Sequence, residues 1–201
     1  MFIQVIQGRC SDAERLRGQW DGWESDLADG ASGWLGSTAG VTDDGTFVAV
    51  ARFESRELAE QNSGRPEQDA WWRETESCFD GDVTFTDYDD ALEWLGGGSD
   101  DAGFVQVMRG RVGDAEGFRK FNQQPMEGLS EMRPEIIGGT VAIADDGDFT
   151  QTIYFTSEAE AREGEKKEMP EDVQRELQQA MGDMGDLTYL DLRQPWFSGR
   201  A

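Results

Sequence analysis

The sequence predicts an α+β fold that is built from two tandem copies of one structural unit. Three observations lead to this prediction: a long internal repeat, an alternation of strand-like and helix-like segments within each copy, and strands without charged residues at their centres. The chain has 201 residues, enough for two domains of about 100 residues each. Seven Trp and eleven Phe supply apolar mass for two cores.

The internal repeat has an offset of 102 residues. The segment from Phe2 to Arg17 aligns with the segment from Phe104 to Arg119, and nine of the sixteen positions are identical. The same offset pairs Asp43-Asp44-Gly45 with Asp145-Asp146-Gly147. Self-similarity of this length indicates a duplicated domain.

The first copy is predicted to begin with a strand and a helix. Residues 2–8 alternate and are rich in strand-forming residues. Ser11 is predicted to cap the helix, because the S-D-A-E sequence places Glu14 where its side chain can reach back to the cap. Apolar residues then recur at helical spacing until Gly30, which ends the helix. They are Ala13, Leu16, Trp20, Trp23 and Leu27.

A hairpin, a broken helix and a last strand complete the copy. Residues 34–41 and 47–54 are predicted to be strands around an Asp-Asp-Gly turn, since Asp and Gly tolerate positive φ. Ser55 begins a helical segment that breaks near Pro66, because proline has no N–H to donate. Residues 83–88 form the fourth strand. The order βαββαβ is that of a ferredoxin-like unit, and the second copy repeats it.

The predicted domains are residues 1–90 and 104–201, joined by a Gly-rich linker at residues 91–103. Apolar residues in the linker and at the C-terminus are predicted to dock on a neighbouring half. They are Leu92, Trp94 and Leu95 in the linker, and Pro195, Trp196 and Phe197 at the C-terminus.

Both faces of the predicted sheets are apolar or uncharged. In the first strand, Phe2, Gln4 and Ile6 lie on one face, and Ile3, Val5 and Gln7 on the other. A ferredoxin-like sheet carries helices on one face only, so its other face must be buried elsewhere. We therefore predict that the two sheets pack together as an intramolecular α+β barrel with pseudo-two-fold symmetry. Such an internal pseudo-dimer is expected to be a monomer or a weak homodimer.

The charge of the chain excludes several classes of partner. The 18 basic and 42 acidic residues give a net charge of −24. This surface repels phosphate backbones and anionic lipids, so we expect neither a nucleic-acid nor a membrane partner. The first residues lack a basic segment, and no stretch approaches the about 20 apolar residues that span a bilayer. A cytoplasmic location is expected.

The absence of histidine excludes His-ligated haem, His-containing zinc sites and Ser-His-Asp triads. The two cysteines, Cys10 and Cys78, form no metal-binding motif and are expected to be free. We therefore expect no metal site and no bound cofactor.

Residues 44–74 resemble a known family. D-G-T-F-V-A-V-A-R-F-E-S-R-E-L-A-E, from Asp44 to Glu60, is followed by N-S-G-R-P-E-Q-D-A-W, from Asn62 to Trp71. Together they resemble the third strand and second helix of antibiotic-biosynthesis-monooxygenase-like members of the dimeric α+β barrel superfamily. The second copy carries D-G-D-F-T-Q-T-I-Y-F-T-S-E-A-E-A-R, from Asp146 to Arg162.

The resemblance implies a function of one of two kinds. A His is often found in the second helix of the family, but Asn62 and Gln68 stand there in this chain. Without His, haem-degrading activities lose their iron ligand. The resemblance then implies a cofactor-independent monooxygenase that acts on or binds a small aromatic or polyketide-like molecule. The alternative is a non-catalytic module of the same fold that binds a small ligand or a protein partner.

The candidate ligand-binding residues lie in the first copy, and no catalytic residue is assigned. They are Arg52, Asn62, Trp71, Trp72, Gln4 and Trp34. Trp71 and Trp72 are about 100° apart on a helix, so one of them is predicted to border a pocket that Asn62 also faces. Arg52 is predicted to hold an anionic or phenolate group, or else to pair with a neighbouring carboxylate.

Two further expectations follow from comparing the copies. The second copy has Arg175 and Glu176 in place of Trp71 and Trp72, so only the first is expected to keep an aromatic pocket. Gln4 has a counterpart in Gln106. The two amides are either polar contacts in two pockets or members of a repeated structural hydrogen bond.

The net charge generates a prediction about stability in salt. Self-repulsion among 42 acidic residues destabilises the compact state, and salt screens it beyond a Debye length of about 10 Å at 0.1 M. The melting temperature, measured by circular dichroism, is expected to rise between low and moderate NaCl, and KCl is expected to act equally. A flat or falling curve would contradict a significant repulsive contribution.

Overall fold

The computed structural model describes residues 1–124, 128–168, 171–183, 185 and 187–199. The chain forms two compact units. The first comprises Met1–Asp89 and the C-terminal segment that begins at Gln194, and the second comprises Asp90–Arg193. Each unit has one five-stranded antiparallel sheet with helices, which confirms the prediction of two ferredoxin-like α+β units.

The first unit has the strand order β10-β2-β3-β1-β4. Its elements are β1 (Phe2–Arg9), α1 (Ala13–Asp26), a short 3-10 turn (Ala28–Gly30), β2 (Trp34–Val41), β3 (Thr46–Phe53), α2 (Arg56–Ser63), α3 (Pro66–Glu76), β4 (Thr84–Tyr88) and β10 (Trp196–Ser198). Pro66 is the first residue of α3, where its missing N–H costs no hydrogen bond.

The second unit has the strand order β5-β7-β8-β6-β9. Its elements are β5 (Ala91–Trp94), β6 (Phe104–Arg111), α4 (Ala115–Asn122), α5 (Leu129–Met132), β7 (Ile136–Ile143), β8 (Asp148–Phe155), α6 (Glu158–Gly164), α7 (Glu171–Met181) and β9 (Thr188–Leu192). The register is repeated as well: Phe2 pairs with Phe53, and Phe104 pairs with Phe155.

One predicted helix start is displaced by a residue. Asp12, not Ser11, caps α1, and its carboxylate accepts a hydrogen bond from the Arg15 N–H. The Ser11 hydroxyl instead donates to the Cys78 carbonyl at 2.9 Å. The equivalent residue Asp114 caps α4. Asp at the cap is therefore the feature that the two copies share.

The predicted linker contains a strand of the second unit. β5 pairs with β7, while β10 pairs with β2 of the first unit. The docking prediction is confirmed for Leu92, Trp94 and Trp196, which pack on apolar clusters of those units. It is wrong for Leu95, which is 42% exposed and has a φ of 50°. Each fifth strand thus comes from the segment that follows the fourth strand of the other copy.

Aromatic side chains fill the space between the first sheet and its helices. The Phe47 ring lies 5.4 Å from Trp20, 5.4 Å from Phe79 and 6.0 Å from Trp196. Most of these contacts are edge-to-face, the arrangement that aromatic quadrupoles favour. The C-terminal strand is therefore part of the core of the first unit.

Both faces of the interior strand β1 are buried. Phe2 and Ile6 face the helices, while Ile3 and Val5, on the opposite face, are 0% exposed. This burial agrees with the apolar sequence pattern. The packing of one sheet on the other stays a prediction.

An ion pair is repeated in the two units with its charges reversed. Arg56, the first residue of α2, lies 2.6 Å from Asp89, which follows β4. In the second unit Glu158, the first residue of α6, lies 2.7 Å from Arg193, which follows β9. The hydrogen bond from Arg56 lowers the pKa of Asp89, as that from Arg193 lowers the pKa of Glu158.

Three other expectations bear on the described residues. No helix there is long and apolar enough to cross a membrane. Cys10 and Cys78 are free, as predicted, and burial raises the pKa of both thiols. The residues that the structure describes contain no cluster of three or more side chains suited to hold a metal ion.

The lowered pKa of Asp89 predicts a pH-dependent contribution to stability. Asp89→Asn is expected to cost under about 1 kcal/mol at neutral pH, because the pair is exposed. A carboxyl whose pKa is lowered by folding stabilises the fold above its unfolded pKa of about 3.9. The cost should therefore vanish as the pH falls through the lower pKa of folded Asp89.

Urea unfolding across a pH series measures this difference. Asp90→Asn, at the adjacent exposed carboxyl, is the matched control for the change in net charge. A cost of Asp89→Asn that persists in full at acidic pH would contradict the assignment to the ion pair.

Candidate ligand pocket

A small aromatic-lined cavity lies in the first unit, between the sheet and α1, α2 and α3. Its volume is about 60 Å³. The walls come from β1, β2 and β3 on one side and from the helices on the other. The lining residues are Gln4, Ile6, Trp20, Trp23, Trp34, Ser37, Ala51, Phe53, Ala59, Asn62, Ser63, Gln68 and Trp71.

Hydrogen bonds fix the orientation of three indole rings around this cavity. The Trp71 N–H donates to the Gln19 carbonyl at 2.9 Å, and the Trp23 N–H donates to Gln68 Oε1 at 2.6 Å. The Trp34 N–H donates to the Ser37 hydroxyl at 3.0 Å. Trp23 lies 4.9 Å from Trp34 and 6.4 Å from Trp71, both edge-to-face. Trp71 and Gln68 both come from α3, which begins at Pro66.

The polar groups of the lining are neutral. Asn62 is buried, and its Oδ1 accepts a hydrogen bond from the Arg65 guanidinium at 2.9 Å. Arg65 also donates to the Leu27 carbonyl at 3.1 Å and does not line the cavity. Asn62 therefore borders the same space as Trp71.

Gln4 borders the cavity but is bound elsewhere. Its Nε2 donates to Asp87 at 2.9 Å, and in the second unit Gln106 Nε2 donates to Asp191 at 2.9 Å. The same bond recurs at the equivalent strand positions of both units. The repeat therefore favours the structural alternative for Gln4.

Two predicted residues do not belong to this space. Arg52 is paired in register with Ile3, so its side chain lies on the sheet face opposite the helices. A Cβ at Gly36 would lie 2.8 Å from the Arg52 guanidinium, which places that group beside β2 on the far face. The predicted grouping of Arg52 with Trp71 and Asn62 is wrong, because strand residues alternate between faces.

Trp72 also points away from the cavity. Its ring lies 5.0 Å from Phe85 and 6.2 Å from Phe79. Trp71 and Trp72 diverge because adjacent helical residues are about 100° apart. Trp71 is thus the member of the pair that borders the pocket.

Nine of the thirteen lining residues are not among the predicted candidates, and Trp23 and Gln68 are two of them. Trp23 stands at helical spacing from Trp20 and was assigned to the core, which does not distinguish a core ring from a pocket wall. Gln68 occupies the place where the family resemblance expects His, and this was the available signal. Its amide holds the Trp23 indole.

The lining offers binding but no acid–base chemistry. It contains no Asp, Glu, Lys, Arg, Cys or Tyr. The cavity volume of about 60 Å³ is small. Ligand pockets typically exceed about 300 Å³. An aromatic ligand therefore enters only if a wall group such as Gln68 or Trp71 moves.

A different cavity, of about 260 Å³, lies in the second unit beside α6. It is lined by Pro134, Glu135, Thr156, Glu160, Glu163, Gly164 and Lys167. At the equivalent position of the first unit, Leu58 lies over Gly33. In the second unit Glu160 stands in place of Leu58, and Glu135 in place of Gly33. Although it is larger, this cleft is acidic and lacks aromatic walls, so it is not the predicted site.

The comparisons found similarity to known proteins in the fold. No protein family matches the sequence, and no curated protein matches it. Among solved structures, an inferred monooxygenase from Lactobacillus acidophilus is similar with a TM-score of 0.74 at 10% identity, over 98% of this chain and 96% of that one. An anthrone oxidase-like protein is similar with a TM-score of 0.64 at 10% identity, over 99% and 94%.

A third similar structure carries the family name itself. It is a ferredoxin-fold protein related to antibiotic biosynthesis monooxygenases, from Listeria monocytogenes, with a TM-score of 0.51 at 11% identity, over 100% of this chain and 95% of that one. At these identities the likeness concerns the fold. The chain therefore has the duplicated ferredoxin-like fold of antibiotic-biosynthesis-monooxygenase-like proteins.

Proposed function

We propose that the first unit binds a small, neutral, planar aromatic molecule between its sheet and its helices. The observation that carries this proposal is the set of three indoles, Trp23, Trp34 and Trp71, held edge-to-face beside the buried amide of Asn62 and the half-buried amide of Gln68. Aromatic walls favour a flat ring by dispersion and quadrupole contacts. The lack of a cation in the lining disfavours a phenolate, because an anion there would be desolvated without a counter-charge.

Entry of the ligand requires the cavity to enlarge. Gln68 is the side chain best placed to yield, since it holds the Trp23 indole by one hydrogen bond and comes from the first turn of α3. Breaking one neutral hydrogen bond costs about 1 kcal/mol, which burial of a flat ring readily offsets.

The second candidate function is oxidation of the bound molecule, and similarity to monooxygenase-like structures favours it. A methylene group between two aromatic rings reacts with O₂ to give a carbonyl group and water, so one oxygen atom enters the product and the other leaves as water. The pocket lining supplies no base, so the substrate would have to ionise to solvent before it binds. Binding therefore remains the primary proposal.

Titration with a hydroxylated anthrone tests both candidates. Saturable binding, followed by calorimetry and tryptophan fluorescence, is expected for the wild-type chain. Ala51→Ile places in the cavity the residue that the second copy has at position 153, and it should weaken binding at least tenfold. Circular dichroism checks that the overpacked variant is folded.

Matched variants define where the ligand binds. Trp72→Phe, on the same helix but facing Phe79 and Phe85, should leave the affinity within about twofold, a change below 0.5 kcal/mol. Arg175→Ala, in the second unit, should do the same. Equal losses in all three variants, or no saturable binding by the wild type, would refute the proposal.

Oxygen uptake then separates the two functions. Binding without oxygen consumption supports the binding role. Consumption of one O₂ per carbonyl formed, abolished by Ala51→Ile, would assign the oxidation instead.

A further inference from the structure

The second unit fills with its own side chain the place that is a cavity in the first. β5 sets Trp94 opposite Gly139, and β10 sets Ser198 opposite Ser37. Gly139 and Ser37 are equivalent positions of the repeat. The residue paired with the pocket residue Ser37 is therefore a small serine, Ser198, whereas the residue paired with the equivalent Gly139 is a tryptophan, Trp94.

Trp94 lies flat on the sheet in a site made of repeated residues. A Cβ at Gly139 would overlap the six-membered ring of Trp94, so the ring rests directly on the glycine backbone. Trp94 packs on the cluster that contains Phe104, Ile136 and Phe155. Their equivalents in the first unit, Phe2, Trp34 and Phe53, form the cluster beside the cavity. Two further residues of the first cavity have equivalents in the cluster around Trp94: Ala51 corresponds to Ile153, and Ala59 corresponds to Ala161.

The fit of Trp94 in this site is incomplete in one respect. Its indole N–H is buried and has no acceptor among the residues that the structure describes. A buried donor without an acceptor costs about 1–3 kcal/mol. In contrast, three of the four indoles that line the first cavity, those of Trp23, Trp34 and Trp71, each donate a hydrogen bond. The ring of Trp94 thus packs against its site, but the site provides no described acceptor for its indole N–H.

The segment that carries Trp94 is a short edge strand followed by residues with positive φ. β5 has four residues and lies at the edge of its sheet. Leu95, next to Trp94, has a φ of 50°, which is strained for a residue with a side chain, and Gly96 and Gly97 follow at φ of 87° and 81°. Few strand hydrogen bonds and adjacent glycines make local release inexpensive.

We propose that the second unit holds a binding site for planar bicyclic aromatic molecules, that Trp94 of the same chain occupies it, and that such a molecule from solution can take the place of Trp94. The ligand class follows from the occupant, an uncharged ring system of indole size resting on Gly139. The inference does not depend on ligand binding in the first unit, because it concerns different residues and a different probe.

The first test vacates the site. Trp94→Ala should lower the melting temperature, and indole at millimolar concentration should recover at least half of the loss, with one additional equivalent bound by calorimetry relative to the wild type. Leu92→Ala is the matched control. It removes an apolar side chain from the same strand but from the cluster around Phe118 and Phe149, so indole should restore nothing.

The second test uses the intact chain and decides the case if Trp94→Ala fails to fold. In protein labelled with 5-fluorotryptophan, Trp94→Phe assigns the fluorine resonance of Trp94. Titration of the wild type with 1-naphthol should shift that resonance toward the position of a solvent-exposed tryptophan. Gly139→Ala, which overlaps the ring, should cause the same shift without any ligand.

Two results would overturn the proposal. The first is a Trp94→Ala chain that is folded yet binds no additional indole, which would mean that the site collapses when vacated. The second is a Trp94 resonance that stays fixed at saturating 1-naphthol, which would make Trp94 a permanent core residue.

Discussion

The fifth strand of each sheet determines what the helix-facing side of that sheet contains. Four strands per unit have the same register in the two copies, whereas the fifth is supplied by a segment outside the repeat that pairs with β2 or β7. β10 brings Trp196 and Ser198 to this face, and β5 brings Leu92 and Trp94. The large and small residues are therefore placed in opposite order along the two strands. This order leaves space near Ser37 and fills it near Gly139.

The cores of the two units are completed by different elements. In the first, Trp23 and Trp71 approach the sheet from the helices, and Trp196 contributes at the other end of the strand. In the second, position 175 is Arg, and Trp94 approaches from the sheet edge. In this way one copy of a duplicated site can have its cavity filled by a side chain while its unit keeps a packed core.

The sequence was sufficient for the fold because the repeat and the turn residues constrain the register. Asp-Asp-Gly turns set both hairpins, and Ser55 and Ser157 cap the helices as expected. The face of Arg52 was not predictable from the alternation alone, since both faces of β3 are apolar and the pattern does not say which one meets the helices. The size of the cavity was not predictable either, because it depends on the rotamers of Trp23, Gln68 and Trp71. The divergence of Trp71 and Trp72 could be predicted, because adjacent residues of a helix point about 100° apart.

The reversed ion pair has a consequence for a chain that contains two nearly interchangeable parts. If the edge strands β4 and β9 exchanged places, Arg193 would face Arg56, and Asp89 would face Glu158. Each exchange replaces an attraction by a repulsion of like charges, so the error is penalised twice. At these positions the native arrangement has an opposite-charge pair in each unit, whereas the exchanged arrangement has none. The opposite charges at the ends of β4 and β9 therefore favour the pairing of each strand with its own copy.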